Sequence, residues 1–321
     1  MIPDPTNWGG RIVQDVPWIV ATLGVALYLS SWLDAKLGAD LQARVGPNRA
    51  GRAGFLQPMA NAIRLISRST AAAAGSRAWW LPRLPLFAML ATIPAGAGGP
   101  LLQAPLAIFA PVFLGIGFAW LGLLAAWRTE EVAGRLASIR RAAVALAAVV
   151  PAVPAIAIAG MGAGGFSWAA VEQAQGFLPT RWLLFSSPFA LVGGIVFLAC
   201  GILLFSLPAF GMEEARCRFS RRMASACWAL IGVEIFLGGS RLPEWVESFI
   251  ESGWALAAVH SVVLVVKLVV LDVGLSIAAR TLPRARTDQA HEFAWRVIGP
   301  VAIFSLIGQR IFLAFFPGGV P

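Results

Sequence analysis

Residues 254–279 of the chain read WALAAVHSVVLVVKLVVLDVGLSIAA, a long run that few polar side chains interrupt. A helix rises about 1.5 Å per residue, so this run is long enough to cross a bilayer core of about 30 Å. Backbone N–H and C=O groups must be paired within the segment when no water is present, which favours a helix over any open strand. The run therefore predicts a helix that spans a membrane.

The composition of the whole chain is that of an integral membrane protein. Of its 321 residues, 58% are hydrophobic and 13% are charged, and the mean hydropathy is +0.76. A soluble domain carries about a quarter charged residues, so an ordinary soluble enzyme, a collagen-like chain and a disordered chain are excluded. We predict an all-α polytopic protein with about eight spans, near residues 17–34, 84–98, 105–127, 142–160, 183–207, 223–239, 254–279 and 295–316.

The distribution of basic residues predicts the orientation of these spans. The segments that follow spans one, three, five and seven hold 20 of the 25 Lys and Arg residues. Short loops rich in Lys and Arg stay in the cytoplasm. The prediction is one membrane domain over residues 1–321 in a bacterial inner membrane, with both termini periplasmic. Its cytoplasmic loops are expected at 35–83, 128–141, 208–222 and 280–294.

The charge and the cysteines limit the partners that the sequence allows. The net charge of +9 is first a signal of orientation, and anionic lipid or an acidic partner protein is the second interpretation. Nucleic acid is not expected, because no basic soluble module is present to hold it. Three cysteines without CxxC spacing predict neither a zinc site nor an iron–sulfur cluster in this chain.

The first cytoplasmic loop is the most informative part of the chain. Residues 41–68 read LQARVGPNRAGRAGFLQPMANAIRLISR, in which the glycines and Pro47 predict a tight turn. After the turn, Leu56, Met59, Ile63 and Ile66 recur at helical spacing on one face. This pattern predicts an amphipathic helix that lies along the membrane interface. The alternative is a basic loop that only contacts lipid headgroups.

The order of residues in this loop closely resembles the signature that follows the first span of the NuoH family, a membrane component of the proton-pumping NADH:quinone oxidoreductase (complex I). A second stretch, RTLPRARTDQ at 280–289, is similar to the family segment that precedes the last span. Two long matches at fixed spacing are a specific signal. The matching residues of the first signature are Lys36, Gln42, Arg44, Gly46, Pro47, Asn48, Gly51, Gly54, Leu56, Gln57, Pro58, Ala60 and Leu65.

The resemblance implies a membrane subunit that anchors a hydrophilic electron-transfer arm and helps to form a chamber for quinone. Such a subunit is not catalytic alone: it binds no cofactor directly, quinone is the substrate, and FMN and iron–sulfur clusters belong to partner subunits. The partners implied are cytoplasmic quinone-site and iron–sulfur subunits and the other membrane-arm subunits. Carried over by position, the chamber residues are Gln42, Arg44, Gly46, Pro47, Asn48, Arg49, Gln57, Arg64, Arg284, Arg286 and Asp288, with no metal ligand among them.

The chain departs from the family where the family carries acidic residues along a proton path. Asn61, Ser69, Val150, Gly211, Arg216, Arg218 and Ala226 stand where acids are expected. Arginine stays protonated and releases no proton, so we expect proton coupling to be altered or lost. The remaining candidates for a proton path are Asp34, Glu214, Glu234, Lys267 and Asp272.

Each ionisable residue within a span has a second interpretation, an interhelical hydrogen bond or ion pair that orders the bundle. This alternative extends to His260 and Arg310. Lys267 and Asp272 are five residues apart and point about 140° away from each other on a helix, so they are expected to pair with other helices.

Other functions stay open at this point. The anchor subunit of a membrane-bound hydrogenase related to complex I would fit the lost acids, whereas the intact first-loop signature favours the quinone enzyme. A non-catalytic scaffold paralogue is a third interpretation. A stand-alone transporter has little support, because neither an internal repeat of spans nor a pair of broken helices is evident.

Overall fold

The computed structural model describes residues 8–72, 83–95, 104–127, 132–206, 215–250, 253–282 and 286–316. Every regular element within these ranges is helical, as the sequence predicts. The helices are α1 (Trp8–Asp40), α2 (Gln57–Ala72), α3 (Arg83–Thr92), α4 (Ala110–Trp127), α5 (Val132–Gly162), α6 (Trp168–Ala174), α7 (Pro188–Ser206), α8 (Ala215–Phe236), α9 (Glu244–Phe249), α10 (Gly253–Thr281), α11 (Thr287–Phe293) and α12 (Gly299–Phe315).

Eight of these helices overlap the eight predicted spans: α1, α3, α4, α5, α7, α8, α10 and α12. By length and apolarity, four described segments are able to cross a membrane: Asp15–Asp40, Ala142–Gly162, Gly253–Thr281 and Thr287–Phe315. The class of polytopic helical membrane protein is confirmed, and the number of eight crossings stays a prediction.

Several helices extend beyond the apolar stretches that predicted them. Helix α1 continues to Asp40, and α5 begins at Val132, inside a predicted loop. A π-helical turn, Ala294–Ile298, joins α11 to α12 without a break. Hydropathy marks where a chain lies in lipid, whereas backbone hydrogen bonds continue into water as long as no residue breaks the helix. Polar segments near the ends of spans are therefore helical where a loop is expected.

Helix α5 lies at the centre of the bundle and packs against α4, α7 and α12. Small side chains allow neighbouring helices to approach closely, which is how membrane bundles gain packing energy. Pro151 and Pro154 lie inside α5 without ending it, as buried membrane helices tolerate. The buried small residues of α5 are Ala142, Ala147, Ala148, Ala152, Ala155 and Ala159.

Helices α7 and α8 meet at a stacked aromatic pair. The rings of Phe197 and Trp228 are nearly parallel, with centroids 4.5 Å apart, and Trp228 Nε1 donates to the backbone oxygen of Phe197 at 3.3 Å. Gly201 leaves room for the indole, because a Cβ there would lie 2.5 Å from Trp228 Nε1. This contact sets the distance between the two helices.

We expect Gly201→Ala to lower stability, because a methyl group would push Trp228 out of its stack. Overpacking of this kind costs about 1–3 kcal/mol, although alanine is itself the better helix former by about 1 kcal/mol. The thermal unfolding midpoint of the purified protein in detergent measures the effect. Gly115→Ala in α4 is the matched control, since nothing lies within 4 Å of a Cβ at Gly115. Equal midpoints for the two variants would contradict this packing.

Candidate functional site

The first loop folds back along α1 instead of leading away from it. The hydroxyl of Tyr28 donates to the backbone oxygen of Phe55 at 2.5 Å, and Trp32 Nε1 donates to Ala53 O at 3.4 Å. The Phe55 ring packs edge-on against both aromatic rings, with centroids 5.1 and 5.6 Å away. Because Tyr28 lies twelve residues before the end of α1, the start of α2 is held beside the predicted membrane part of α1.

Two glycines make this return possible. Gly51 and Gly54 have φ of 72° and 73°, in the left-handed region that glycine adopts without strain. The N–H of Leu56 donates to Ala50 O at 3.0 Å across the turn. A Cβ at Gly54 would collide with the backbone oxygen of Pro47. Residues 46–48 (GPN) and residues 51–54 (GRAG) of the signature thus pack against each other within one turn.

Helix α2 forms where an amphipathic helix is predicted, and the large apolar residues at its start are exposed. Leu56, Met59 and Ile63 are all exposed large hydrophobic residues. On the polar side, Gln57 Nε2 donates to Asn61 Oδ1 at 3.2 Å. An apolar face open to the surroundings is what a helix lying on a lipid interface presents.

The predicted chamber residues fall into two groups. The first loop and α2 carry Gln42, Arg44, Gly46, Pro47, Asn48, Arg49, Gln57 and Arg64, of which Gly46, Pro47 and Gln57 are half-buried and the others exposed. The exposed Arg286 and Asp288 start α11, which packs on α5. Within this second group, Arg286 N donates to Gln289 Oε1 at 3.1 Å. Arg284 and the proton-path candidate Glu214 lie outside the described residues.

Four alternating charges connect α1, α8 and α10 near the base of the first loop. Arg280 Nη2 lies 2.5 Å from Asp34 Oδ2, and its Nη1 donates to the backbone oxygen of Asp34 at 3.0 Å. Arg222 Nη1 lies 4.0 Å from the same carboxylate, and its Nη2 lies 2.8 Å from Asp272 Oδ2. Ser276 donates to Asp34, and Ser225 Oγ donates to Asp272 Oδ1 at 2.6 Å. We call Asp34, Arg222, Asp272 and Arg280 the charge ladder.

The charge ladder runs from a partly exposed outer end to a fully buried inner end. The side chain of Arg280 is 38% exposed, that of Asp34 16%, that of Arg222 19% and that of Asp272 0%. A fully buried carboxylate is costly unless it is paired and hydrogen-bonded. Asp272 satisfies this requirement through Arg222 and Ser225, which lie on another helix. The ladder therefore leads from the surface into the bundle.

A second polar cluster lies at the other end of α8. Gln175 Nε2 donates to the backbone oxygens of Glu234 and Ile235 at 3.1 and 2.9 Å. Lys267 Nζ donates to the oxygens of Leu237 and Gly239, both at 2.9 Å, and lies 5.3 Å from the centre of the Trp182 ring. Lys267 is thus held by the turn that follows α8, and Asp272 pairs with α8 itself, so the two residues do not pair with each other.

The carboxylates of this cluster are held away from water. Glu234 is buried, and its carboxylate lies so close to Gly239 that a Cβ there would collide with it. In the loop helix α6, burial raises the pKa of Glu172, and the positive charge of Arg241 opposes that rise. His260 contacts Ser240 O through Nδ1 at 2.7 Å and Glu247 Oε1 through Nε2 at 3.8 Å.

The structure brings together residues that the sequence pattern keeps apart. The sequence predicts Asp34 and Asp272 as separate candidates, and it marks Arg222 as a loop charge and Arg280 as the start of the second signature. Asp272, Ser276 and Arg280 recur every four residues, and this stripe marks one polar face of α10 without identifying its partners on α1 and α8. The described residues contain no group of three or more His, Cys, Asp or Glu side chains able to hold a metal ion.

We expect Gly54→Ala to loosen the first loop, because alanine is strained at this φ and its Cβ would collide with Pro47 O. Trypsin cleavage at the loop arginines of the detergent-solubilised protein should become faster by about tenfold or more, as for a loss of a few kcal/mol in local stability. Gly46→Ala is the matched control, since a Cβ at Gly46 meets its nearest neighbour at an ordinary 3.4 Å. Cleavage at the wild-type rate in Gly54→Ala would refute the turn.

Comparison with known proteins agrees with both signatures. The sequence profile of the family described as NADH dehydrogenase matches residues 15–309. The H subunit of NADH-quinone oxidoreductase from Anaeromyxobacter dehalogenans is 25% identical, over 99% of this chain and 88% of that protein. The H subunit of F(420)H(2) dehydrogenase from Methanosarcina mazei is 27% identical, over 94% and 96%. An H subunit of NADH-quinone oxidoreductase from Cereibacter sphaeroides is also 27% identical, over 90% and 92%. Since the profile match extends over most of the sequence, the chain belongs to the NADH dehydrogenase family.

Proposed function

We propose that this chain is the membrane subunit of a complex I-type NADH:quinone oxidoreductase. In this role it anchors the hydrophilic arm and forms part of the chamber through which quinone reaches a redox centre of a partner protein. The observation that carries the proposal is the first loop, which turns back through Gly51 and Gly54 and is pinned to α1 by Tyr28 and Trp32. The same loop carries exposed cationic and amide side chains, Arg44, Asn48 and Arg49, which we call the rim, and α2 follows it with exposed apolar residues.

The chemistry of quinone suits this arrangement. A quinone has a polar head with two carbonyl oxygens and a long apolar tail. Met59 and Ile63 of α2 offer apolar surface for the tail, whereas Arg44 and Asn48 at the rim offer hydrogen-bond donors to the head. The FMN and iron–sulfur clusters belong to partner subunits, and the chain's own side chains bind and orient the quinone.

The positive charge of the same side supports docking of a soluble arm. Segments that follow spans one, three, five and seven carry 20 of 25 basic residues. We place these segments in the cytoplasm and both termini in the periplasm of a bacterial inner membrane. Acidic surfaces of quinone-site and iron–sulfur subunits, and anionic lipid around them, are the complementary partners.

The electron donor separates this proposal from its alternatives. NADH-binding and iron–sulfur subunits that co-purify with the chain would support the NADH enzyme, and a nickel-containing large subunit would identify a hydrogenase anchor. If the assembly carries no redox activity, the chain is a scaffold. Co-purification in mild detergent followed by mass spectrometry of the subunits makes this distinction.

We expect Arg44→Ala and Arg286→Ala to lower kcat/KM for NADH-dependent quinone reduction by the purified complex. Loss of a hydrogen bond or charge contact to the quinone head costs about 1.5–3 kcal/mol, which corresponds to roughly a 10- to 150-fold decrease. A steady-state assay with a short-chain quinone measures the change.

The matched control for this experiment is Arg181→Ala. Arg181 is an exposed arginine in the segment that leads into α7, near the end of α8 opposite the charge ladder. This variant should keep the wild-type kcat/KM. Unchanged values in both Arg44→Ala and Arg286→Ala would remove the two arginines from the chamber.

Proton coupling through this chain is proposed to be altered or lost. Where the family pattern has acids, Ala226 is buried in α8 and Val150 is exposed on α5, and neither side chain carries a proton. Arg216 and Arg218 belong to the first turn of α8, and a permanent cation at these positions relays no proton between carboxyl groups. Of the acids that remain as candidates, Asp34 and Asp272 are each next to an arginine.

We expect the number of protons released per electron by the reconstituted complex to be lower than in a family member that has the full set of acids. Proteoliposomes with a pH-sensitive dye on one side measure this stoichiometry during quinone reduction. A relative that keeps the acids, assayed in parallel, is the control. Equal stoichiometry in the two complexes would overturn the proposal of altered coupling while leaving quinone binding in place.

A further inference from the structure

We infer that Arg222 and Asp272 are positioning residues for the quinone entrance, acting through Asp34 and Arg280. The inference rests on the proposed function and deepens it. The charge ladder lies close to the ends of α1 and α10. Asp34 is six residues before the end of α1, and Arg280 is one residue before the end of α10. Both segments that carry the family signatures therefore leave the bundle next to the same carboxylate.

The position of Asp34 depends on contacts from two other helices. Arg280 holds its carboxylate and its backbone oxygen from α10, and Ser276 donates to the same carboxylate. Arg222 approaches Asp34 Oδ2 from α8 at 4.0 Å. A carboxylate shared between two guanidinium groups fixes α1 in rotation and height relative to both helices.

The position of Arg222 in turn depends on Asp272. Asp272 is fully buried, and its ion pair with Arg222 at 2.8 Å joins the middle of α10 to α8. A buried carboxylate that loses its partner is strongly unfavourable, so the guanidinium is held at this point. The ion pair with Asp272 therefore fixes the level along the helix bundle at which Arg222 approaches Asp34.

The contact between α1 and α10 is close at the outer end of the ladder. A Cβ at Gly38, one turn beyond Asp34, would collide with the guanidinium of Arg280. The Arg280 guanidinium thus contacts the backbone of α1, and a shift of either helix would displace this guanidinium. Since the first loop begins after Asp40 and the last loop after Thr281, such a shift would change the separation of the two loops.

The experiment compares Asp272→Asn and Arg222→Lys in the purified complex, with KM and kcat for a short-chain quinone measured separately. We expect KM to rise by about threefold or more with kcat within about twofold of wild type, because the entrance is displaced while the redox chemistry is untouched. The exchange Arg222→Asp with Asp272→Arg should not bring KM back, because it restores the inner pair but replaces the cation near the Asp34 carboxylate by a second carboxylate.

The control is Glu247→Gln, which removes a carboxylate 3.8 Å from His260 Nε2 at the opposite end of α10. It should leave KM unchanged. Gly38→Ala should raise KM through displacement of Arg280, whereas Gly24→Ala on the same helix should not, since nothing lies within 4 Å of a Cβ there.

The possible outcomes separate the inference from the function on which it rests. Unchanged KM in assembled Asp272→Asn and Arg222→Lys would overturn the inference alone. Failure of both variants to co-purify with the partner subunits would also overturn it, because the pair would then be purely structural. A wild-type complex that reduces no quinone would contradict the proposed function, and the inference with it.

Discussion

The burial of Asp272 is the constraint on which the arrangement of α1, α8 and α10 depends. A carboxylate that is fully removed from water must find a cation and a hydrogen-bond donor, because its desolvation is otherwise uncompensated. Arg222 and Ser225 of α8 meet that need. Once Arg222 is fixed there, its other amino group reaches Asp34 of α1, and the three helices can approach each other in only one register.

Buried positive charges are compensated in different ways at the two ends of α8. At its start, an arginine is neutralised by carboxylates from two helices. Near its end, the ammonium of Lys267 is satisfied mainly by backbone oxygens, which the turn at Gly238 and Gly239 releases from helical bonding. Between these ends lies an apolar layer that includes Leu230, Ile231, Leu264 and Leu268. Polar groups are therefore concentrated at the two ends, with a continuous apolar core between them.

The missing acids of the family pattern can be considered together with the ion pairs of the charge ladder. Arg222, the last basic residue of the predicted third cytoplasmic loop, is neutralised within the bundle by Asp272 and Asp34. The loss of acids and the presence of this arginine are consistent with a membrane helix held by permanent ion pairs. Carboxylates fixed in this manner hold α1, α8 and α10 together.

The sequence by itself determined the helical membrane class, the amphipathic helix α2 and the family, because hydropathy, helical periodicity and a long motif are local properties of the chain. It also argued against a pair between Lys267 and Asp272, since residues five apart point in different directions on a helix. Only the tertiary structure decided that Asp34, Arg222, Asp272 and Arg280 form one ladder. Their separation in sequence reaches 246 residues, and such contacts depend on how helices pack, which no local pattern encodes. The return of the first loop onto Tyr28 and Trp32 is also decided by tertiary packing. The glycines permit the turn, and the packing of the aromatic rings determines its direction.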